Sequence, residues 1–153
     1  MANLSALLYA VLPRINWTGF YLAVSTEDQG KYGRIKSDEC RGIELVLGPF
    51  QGRPACTRIP LGKGVCGAAA RDRKVYIVPD VHKFPGHIAC DPRSRSEIVI
   101  PIISEGKLVG VLDIDSPYQD RFDETDGEGL SRFTAIIQYP LLGVFSPSPD
   151  SST

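Results

Sequence analysis

The sequence predicts an α+β domain: an antiparallel sheet of about six strands, with helices packed on one side. Three observations carry this expectation. The chain has 153 residues, enough for one ordinary domain and too few for two. Its apolar residues switch between a period of two and helical spacing several times along the chain. Successive strand-like runs are joined by short turns, which makes neighbouring strands antiparallel and segregates the helices. A domain of this length buries about 68–70% of its unfolded surface, so the core needs neither disulfide nor metal.

Residues 4–11 read as a short helix closed by Pro13. Residues 15–24 alternate, with β-branched and aromatic side chains, as a strand does. Residues 25–42 carry charges and glycines without periodicity and read as a surface loop. Leu45, Leu47 and Phe50 mark the second strand, and residues 57–60 start a third after a turn at 51–54. Gly62-Lys63-Gly64 leads into an alanine-rich helix over 65–73. Residues 75–81 read as a strand that Pro79 assigns to a sheet edge. Residues 82–94, with Pro85, Gly86 and Pro92, form a loop. Strands over 97–103 and 107–114 meet at the hairpin Ser104-Glu105-Gly106. Asp123 or Thr125 caps a last helix through about residue 137, with Leu130, Phe133, Ile136 and Ile137 at helical spacing and Pro140 as its stop. Residues 1–145 then form the domain, and 146–153, rich in serine and proline, a disordered tail.

Charge narrows the function. Against 17 basic residues stand 18 acidic ones, a net charge of −1, which is not the electrostatic footprint of a nucleic-acid binder. No apolar run approaches the ~20 residues needed to span a bilayer, and no leader pattern precedes the first helix. The expected location is the cytoplasm. In that reducing compartment Cys40, Cys56, Cys66 and Cys90 have no stable disulfide to form.

Chemistry-bearing residues concentrate in three places. The loop over 80–91 holds His82, His87 and Cys90, and reactive groups favour loops on rigid scaffolds. Cys90 could equally be a small buried hydrophobe. Zinc binding through His87, Cys90, Cys56 and Cys66 is disfavoured, because nine residues lie between the last two, more than paired ligands usually show. The second place is a sheet face: Asp113 and Asp115 project together in a strand, and Glu97 opens the neighbouring strand on the same face. Val99 and Val111 share that face and imply that it is covered, which pushes at least one carboxyl pKa upward and makes a proton donor available. Third, Trp17, Gly19 and Tyr21 share a face of the first strand, either as ordinary core or as an apolar slot with Gly19 leaving room. Cys66, in Gly62-Lys63-Gly64-Val65-Cys66-Gly67, lies near a helix N-terminus that could lower its pKa, or it is a packed thiol.

Asn16-Trp17-Thr18-Gly19-Phe20-Tyr21, Leu47-Gly48-Pro49-Phe50-Gln51-Gly52, Ala55-Cys56, Gly64-Val65-Cys66-Gly67, Asp80-Val81-His82, Gly86-His87-Ile88-Ala89-Cys90-Asp91, Ser96-Glu97-Ile98-Val99 and Gly110-Val111-Leu112-Asp113-Ile114-Asp115-Ser116 follow one another here. In that order they resemble the free methionine-R-sulfoxide reductases, single GAF-domain enzymes, over about residues 4–137. The resemblance implies a GAF domain with Cys90 as catalytic cysteine, Cys56 as principal resolving cysteine and Cys66 as auxiliary. It implies that Glu97, Asp113 and Asp115 bind and activate substrate, and that Trp17 and Tyr21 receive its methyl group. The implied activity is reduction of free L-methionine-(R)-S-oxide, an antioxidant repair recycled by thioredoxin or a related dithiol protein, with no bound cofactor or metal and a possible homodimer. Cys40 and the insertion over 25–42 have no family counterpart, and the family usually carries a longer N-terminal helical region. The competing expectations are a non-catalytic GAF sensor and a structural domain whose thiols are packing.

Attack on a sulfoxide sulfur requires a thiolate and an acid for the oxygen. At an unperturbed pKa near 8.5, about 3% of Cys90 is thiolate at pH 7, and ionised carboxylates nearby lower that fraction. At least one carboxyl of the cluster must therefore be neutral when attack occurs.

Overall fold

A computed structural model describes residues 1–26, 42–88 and 90–144, with 137–144 as backbone alone. Cys40, nearly all of the predicted 25–42 loop and the 146–153 tail lie outside the described residues. The elements are α1 (Ala2–Val11), β1 (Trp17–Ser25), β2 (Ile43–Gly52), β3 (Arg58–Pro60), α2 (Gly64–Asp72), β4 (Tyr76–Val78), a 3-10 turn (Val81–Lys83), β5 (Ser96–Ser104), β6 (Lys107–Ser116) and α3 (Glu124–Val144). All strands pair antiparallel in one six-stranded sheet, ordered β3-β2-β1-β6-β5-β4. The α+β class and the six strands agree with the sequence.

Local chemistry explains the elements. Glu105 and Gly106 both have positive φ, 51° and 72°, the geometry that matches a two-residue turn to the twist of β5 and β6. Asp123 Oδ1 accepts from Asp126 N at 2.9 Å while Asp126 Oδ2 accepts from Asp123 N at 3.2 Å. This reciprocal pair satisfies donors at the start of α3. β4 is shorter than the predicted 75–81 strand: Pro79 cannot donate to the ladder, and Asp80 instead caps the 3-10 turn by accepting from His82 N at 3.1 Å.

Three placements differ from expectation. α2 does not join the other helices on one side. Leu8 of α1 and Leu130 of α3 pack with Phe20, Ile98, Ile100, Leu112 and Ile114 on one sheet face, whereas Val65, Cys66, Ala69 and Ala70 of α2 pack with Tyr21, Leu45, Val99 and Val111 on the other. The small residues of α2 allow this: a Cβ on Gly67 would lie 2.6 Å from the Pro60 carbonyl oxygen, so only glycine permits that approach. α3 continues through Pro140 to Val144, since an interior proline weakens a helix by about 3 kcal/mol without forbidding it. Ile136 is 71% exposed; at 3.6 residues per turn it lies about 120° around the helix from Leu130, off the buried stripe.

Among the described residues, no helix is long and apolar enough to cross a membrane.

Candidate active site

The site grows from a lattice on the α2 side of the sheet. Three adjacent strands, β1, β6 and β5, place Trp17, Asp115 and Glu97 opposite one another in one row, and Gly19, Asp113 and Val99 in the next. Because side chains alternate along each strand, all six share one face, and Leu112 and Ile114 point into the other core. The predicted carboxyl face is therefore real, and it is covered. Glu97 and Asp113 are each 6% exposed.

α2 supplies part of the cover. Its Cys66, 3% exposed, donates from Sγ toward Glu97 Oε1 at 3.8 Å. The option of a thiol acidified by the helix N-terminus is not what the surroundings support. Burial, followed by the charges of Asp113 and Glu97, pushes the Cys66 thiol well above its ordinary value.

The aromatic shelf settles the role of Gly19. A Cβ there would lie 2.5 Å from Trp17 Cη2 and 2.5 Å from Phe50 Cβ. Gly19 makes room for the indole itself. Trp17 stacks on Phe50 at 5.4 Å and on Tyr21 at 6.0 Å between centroids. The polar tips then reach one segment: Trp17 Nε1 donates to the Arg53 carbonyl at 3.1 Å and Tyr21 Oη to the Cys56 carbonyl at 3.0 Å. This shelf fixes the backbone that carries Cys56.

Cys56 is bonded to Cys90 in a disulfide with Cα atoms 5.6 Å apart. The two sulfurs are thus unavailable as zinc ligands, and the sequence alternative of a His87, Cys90, Cys56 and Cys66 site does not form in this state. Polar residues to which no role is assigned by spacing or residue type hold the Cys90 loop in place. Asp91 accepts from Arg93 Nη2 at 2.8 Å and from Asn16 Nδ2 at 3.2 Å, and Asn16 also donates to Ser94 Oγ at 3.1 Å. Those bonds, Arg93 first, hold the Asp91 carboxyl down to about 2. Ser94 in turn hydrogen-bonds Asp115, so the loop bearing Cys90 is tied to the carboxyl row. The only sequence signal for this clamp was adjacency: Asn16 precedes Trp17 and Asp91 follows Cys90.

Between loop, shelf and α2 lies a cavity lined by Trp17, Tyr21, Cys66, Cys90, Glu97, Asp113 and Asp115. Burial pushes all three carboxyls up. Glu97 is raised well above its ordinary value by burial and then by Asp113 and Asp115. Asp115 is raised by burial and then by Asp113. Asp113 rises to about 7 through burial, restrained by hydrogen bonds from Cys66 and Glu97. Asp113 Oδ1 is buried without a hydrogen-bond partner, a cost that a bound cation or donor would relieve. His82 and His87, 6.4 Å apart edge to face, sit at the loop; His87 lines the cavity and burial lowers its pKa, so it is neutral at pH 7. The arrangement offers a sulfur redox pair above neutral acids, beside an apolar shelf.

Comparison with known proteins agrees with the geometry. Residues 6–138 match the GAF domain family. The chain is 53% identical over 140 residues to protein YtsP of Bacillus subtilis, spanning 92% of this chain and 77% of that protein. It is 48% identical over 141 residues to the free methionine-R-sulfoxide reductase of Escherichia coli, spanning 92% and 75%. Among solved structures, the free methionine-R-sulfoxide reductase of Neisseria meningitidis in complex with its substrate superposes with a TM-score of 0.76 at 46% identity, covering 90% of this chain and 73% of that one.

Proposed function

The chain belongs to the free methionine-R-sulfoxide reductase family of GAF-domain proteins, and on that premise we propose that it reduces free L-methionine-(R)-S-oxide to methionine with Cys90 as nucleophile. One observation carries the reading: Cys90, bonded to Cys56, lines the same cavity as three carboxyls that burial keeps protonated toward neutral pH.

The Cys90 thiolate attacks the sulfoxide sulfur while a neutral carboxyl of the Glu97, Asp113 and Asp115 cluster gives its proton to the oxygen. The hydroxyl then passes from the substrate sulfur to Cys90 Sγ as the newly formed S–S bond breaks, one electron pair staying on the substrate sulfur, so that methionine leaves and Cys90 is a sulfenic acid. The Cys56 thiol then attacks Cys90, water is released and the disulfide forms. Tyr21 holds the Cys56 carbonyl, which supports Cys56 rather than Cys66 as the first resolving thiol. Cys66 is the auxiliary partner. Trp17 and Tyr21 receive the methyl group against their stacked rings, and the substrate's ammonium favours ionisation of one carboxyl of the cluster, which pairs with it while another stays neutral as the acid. No resident cofactor enters the cycle; an external dithiol protein of the thioredoxin class reduces the disulfide, as suits a cytoplasmic enzyme.

The test is an NADPH-coupled assay with thioredoxin and its reductase. Free methionine-R-sulfoxide should drive NADPH consumption in the unmodified protein and none in Cys90→Ser. No consumption, combined with tight equilibrium binding of the sulfoxide, refutes the reductase and leaves a sensor.

A further inference from the structure

We propose that Cys66, Glu97 and Asp113 form a binding site for a zinc-class divalent cation in the disulfide form of the protein. One ligand atom from each of the three lies within 4.8 Å of the other two, and the Cys66 Sγ to Glu97 Oε1 distance is 3.8 Å. In a tetrahedral zinc site with Zn–S about 2.3 Å and Zn–O about 2.1 Å, the S···O edge is about 3.6 Å and the O···O edge about 3.4 Å. The trio therefore needs a contraction of at most about 1.4 Å. Each ligand stands on a different rigid element, α2, β5 and β6, and each is more than nine-tenths buried.

A second observation points to a ligand. Asp113 Oδ1 is buried and unpartnered, and Asp113 lines the cavity together with Cys66 and Glu97. A metal would supply the missing partner. The donor set selects its class: magnesium and calcium take six or more oxygens, whereas one thiolate with two carboxylates and an open fourth position suits zinc or cobalt. As the metal binds, the Cys66 thiol proton and the protons held by Glu97 and Asp113 leave to solvent. The disulfide removes Cys56 and Cys90 as competing donors, so the site needs Cys66 alone among the thiols. Resting on the reductase reading, a cation here occupies Glu97 and Asp113 and blocks substrate, a reversible inhibition.

The experiment is a titration of the disulfide form with cobalt(II) alone, without reductant, in a Cys40→Ser background. One cobalt per chain should bind with a thiolate-to-cobalt charge-transfer band that zinc(II) abolishes. Cys66→Ala should lose the band, and Asp113→Asn should weaken binding by about tenfold or more. Absence of the band in the protein with Cys66 intact overturns the proposal, whatever the variants do, and so does a band that survives Cys66→Ala. Failure of the reductase reading would appear separately, as no sulfoxide turnover in metal-free protein with the cobalt titration unchanged.

Discussion

Replacing Asp113 by asparagine is expected to stabilise the fold progressively as pH rises. Burial moves this carboxyl from an ordinary 3.8 to about 7 in the native state, so between those values the folded protein binds more protons than the unfolded chain. Stability is then fully present below pH 4 and is lost as pH rises toward 7, because the buried group must ionise or hold a proton that the unfolded chain has released. The whole gap corresponds to about 4 kcal/mol, of which about 2 kcal/mol falls between pH 5.5 and 8.5. Asparagine cannot ionise. Its effect on packing and hydrogen bonding is shared by both pH values and cancels in the difference. Glu97 and Asp115 are raised partly by the Asp113 charge, so their relaxation adds in the same direction. Urea unfolding of both proteins, disulfide intact, measures this directly. The stability of Asp113→Asn relative to the unmodified protein should be more favourable at pH 8.5 than at 5.5 by about 2 kcal/mol. An equal difference at the two pH values refutes the claim that this carboxyl is buried and proton-hungry.

Other expectations follow from single contacts. Glu97→Gln removes a proton donor from the cavity and should lower kcat/KM about 10²–10⁴-fold; turnover unchanged across pH 5–9 would remove the acid role. Gly19→Ala places a methyl 2.5 Å from Trp17 and Phe50 and should destabilise the fold by about 1–3 kcal/mol in urea, whereas a neutral result would mean the indole has room to shift. Tyr21→Phe deletes the bond to the Cys56 carbonyl. It should cost about 1 kcal/mol and slow disulfide formation after a single turnover more than it slows methionine release, as rapid-quench sampling of both would show.

The carboxyl face was legible because strand alternation is rigid. Once Leu112 and Ile114 are assigned to one core, Asp113 and Asp115 have no choice but the other face; the two-residue turn at Glu105-Gly106 alone would pair Glu97 with Ile114, and a one-residue bulge between Ile102 and Ile103, which no sequence pattern announces, shifts it opposite Asp115. A face set by strand alternation can be read this way. The side on which α2 packs could not, because all residues from Gly64 to Ala70 are buried and offer no polar stripe to orient the helix. Cys66 shows a contest between local and tertiary effects: its place near a helix N-terminus favours a thiolate, but burial beside two acids, which only the fold creates, wins. The clamp of Asn16, Asp91, Arg93 and Ser94 escaped for another reason. Its bonds join residues as many as 78 apart, and side-chain hydrogen bonding of that kind leaves no periodicity. The Cys56–Cys90 pairing spans 34 residues; spacing alone left it open, and the family resemblance implied it.

In the proposed cycle Cys90 takes the oxygen and Cys56 resolves it. Fully reduced protein given one equivalent of free methionine-R-sulfoxide, then alkylated, digested and mapped by mass spectrometry, tests this most directly. A Cys56–Cys90 disulfide peptide is expected in the unmodified protein, and no substrate-dependent disulfide in Cys90→Ser. A disulfide that forms without Cys90, or methionine released with all thiols still reduced, contradicts it.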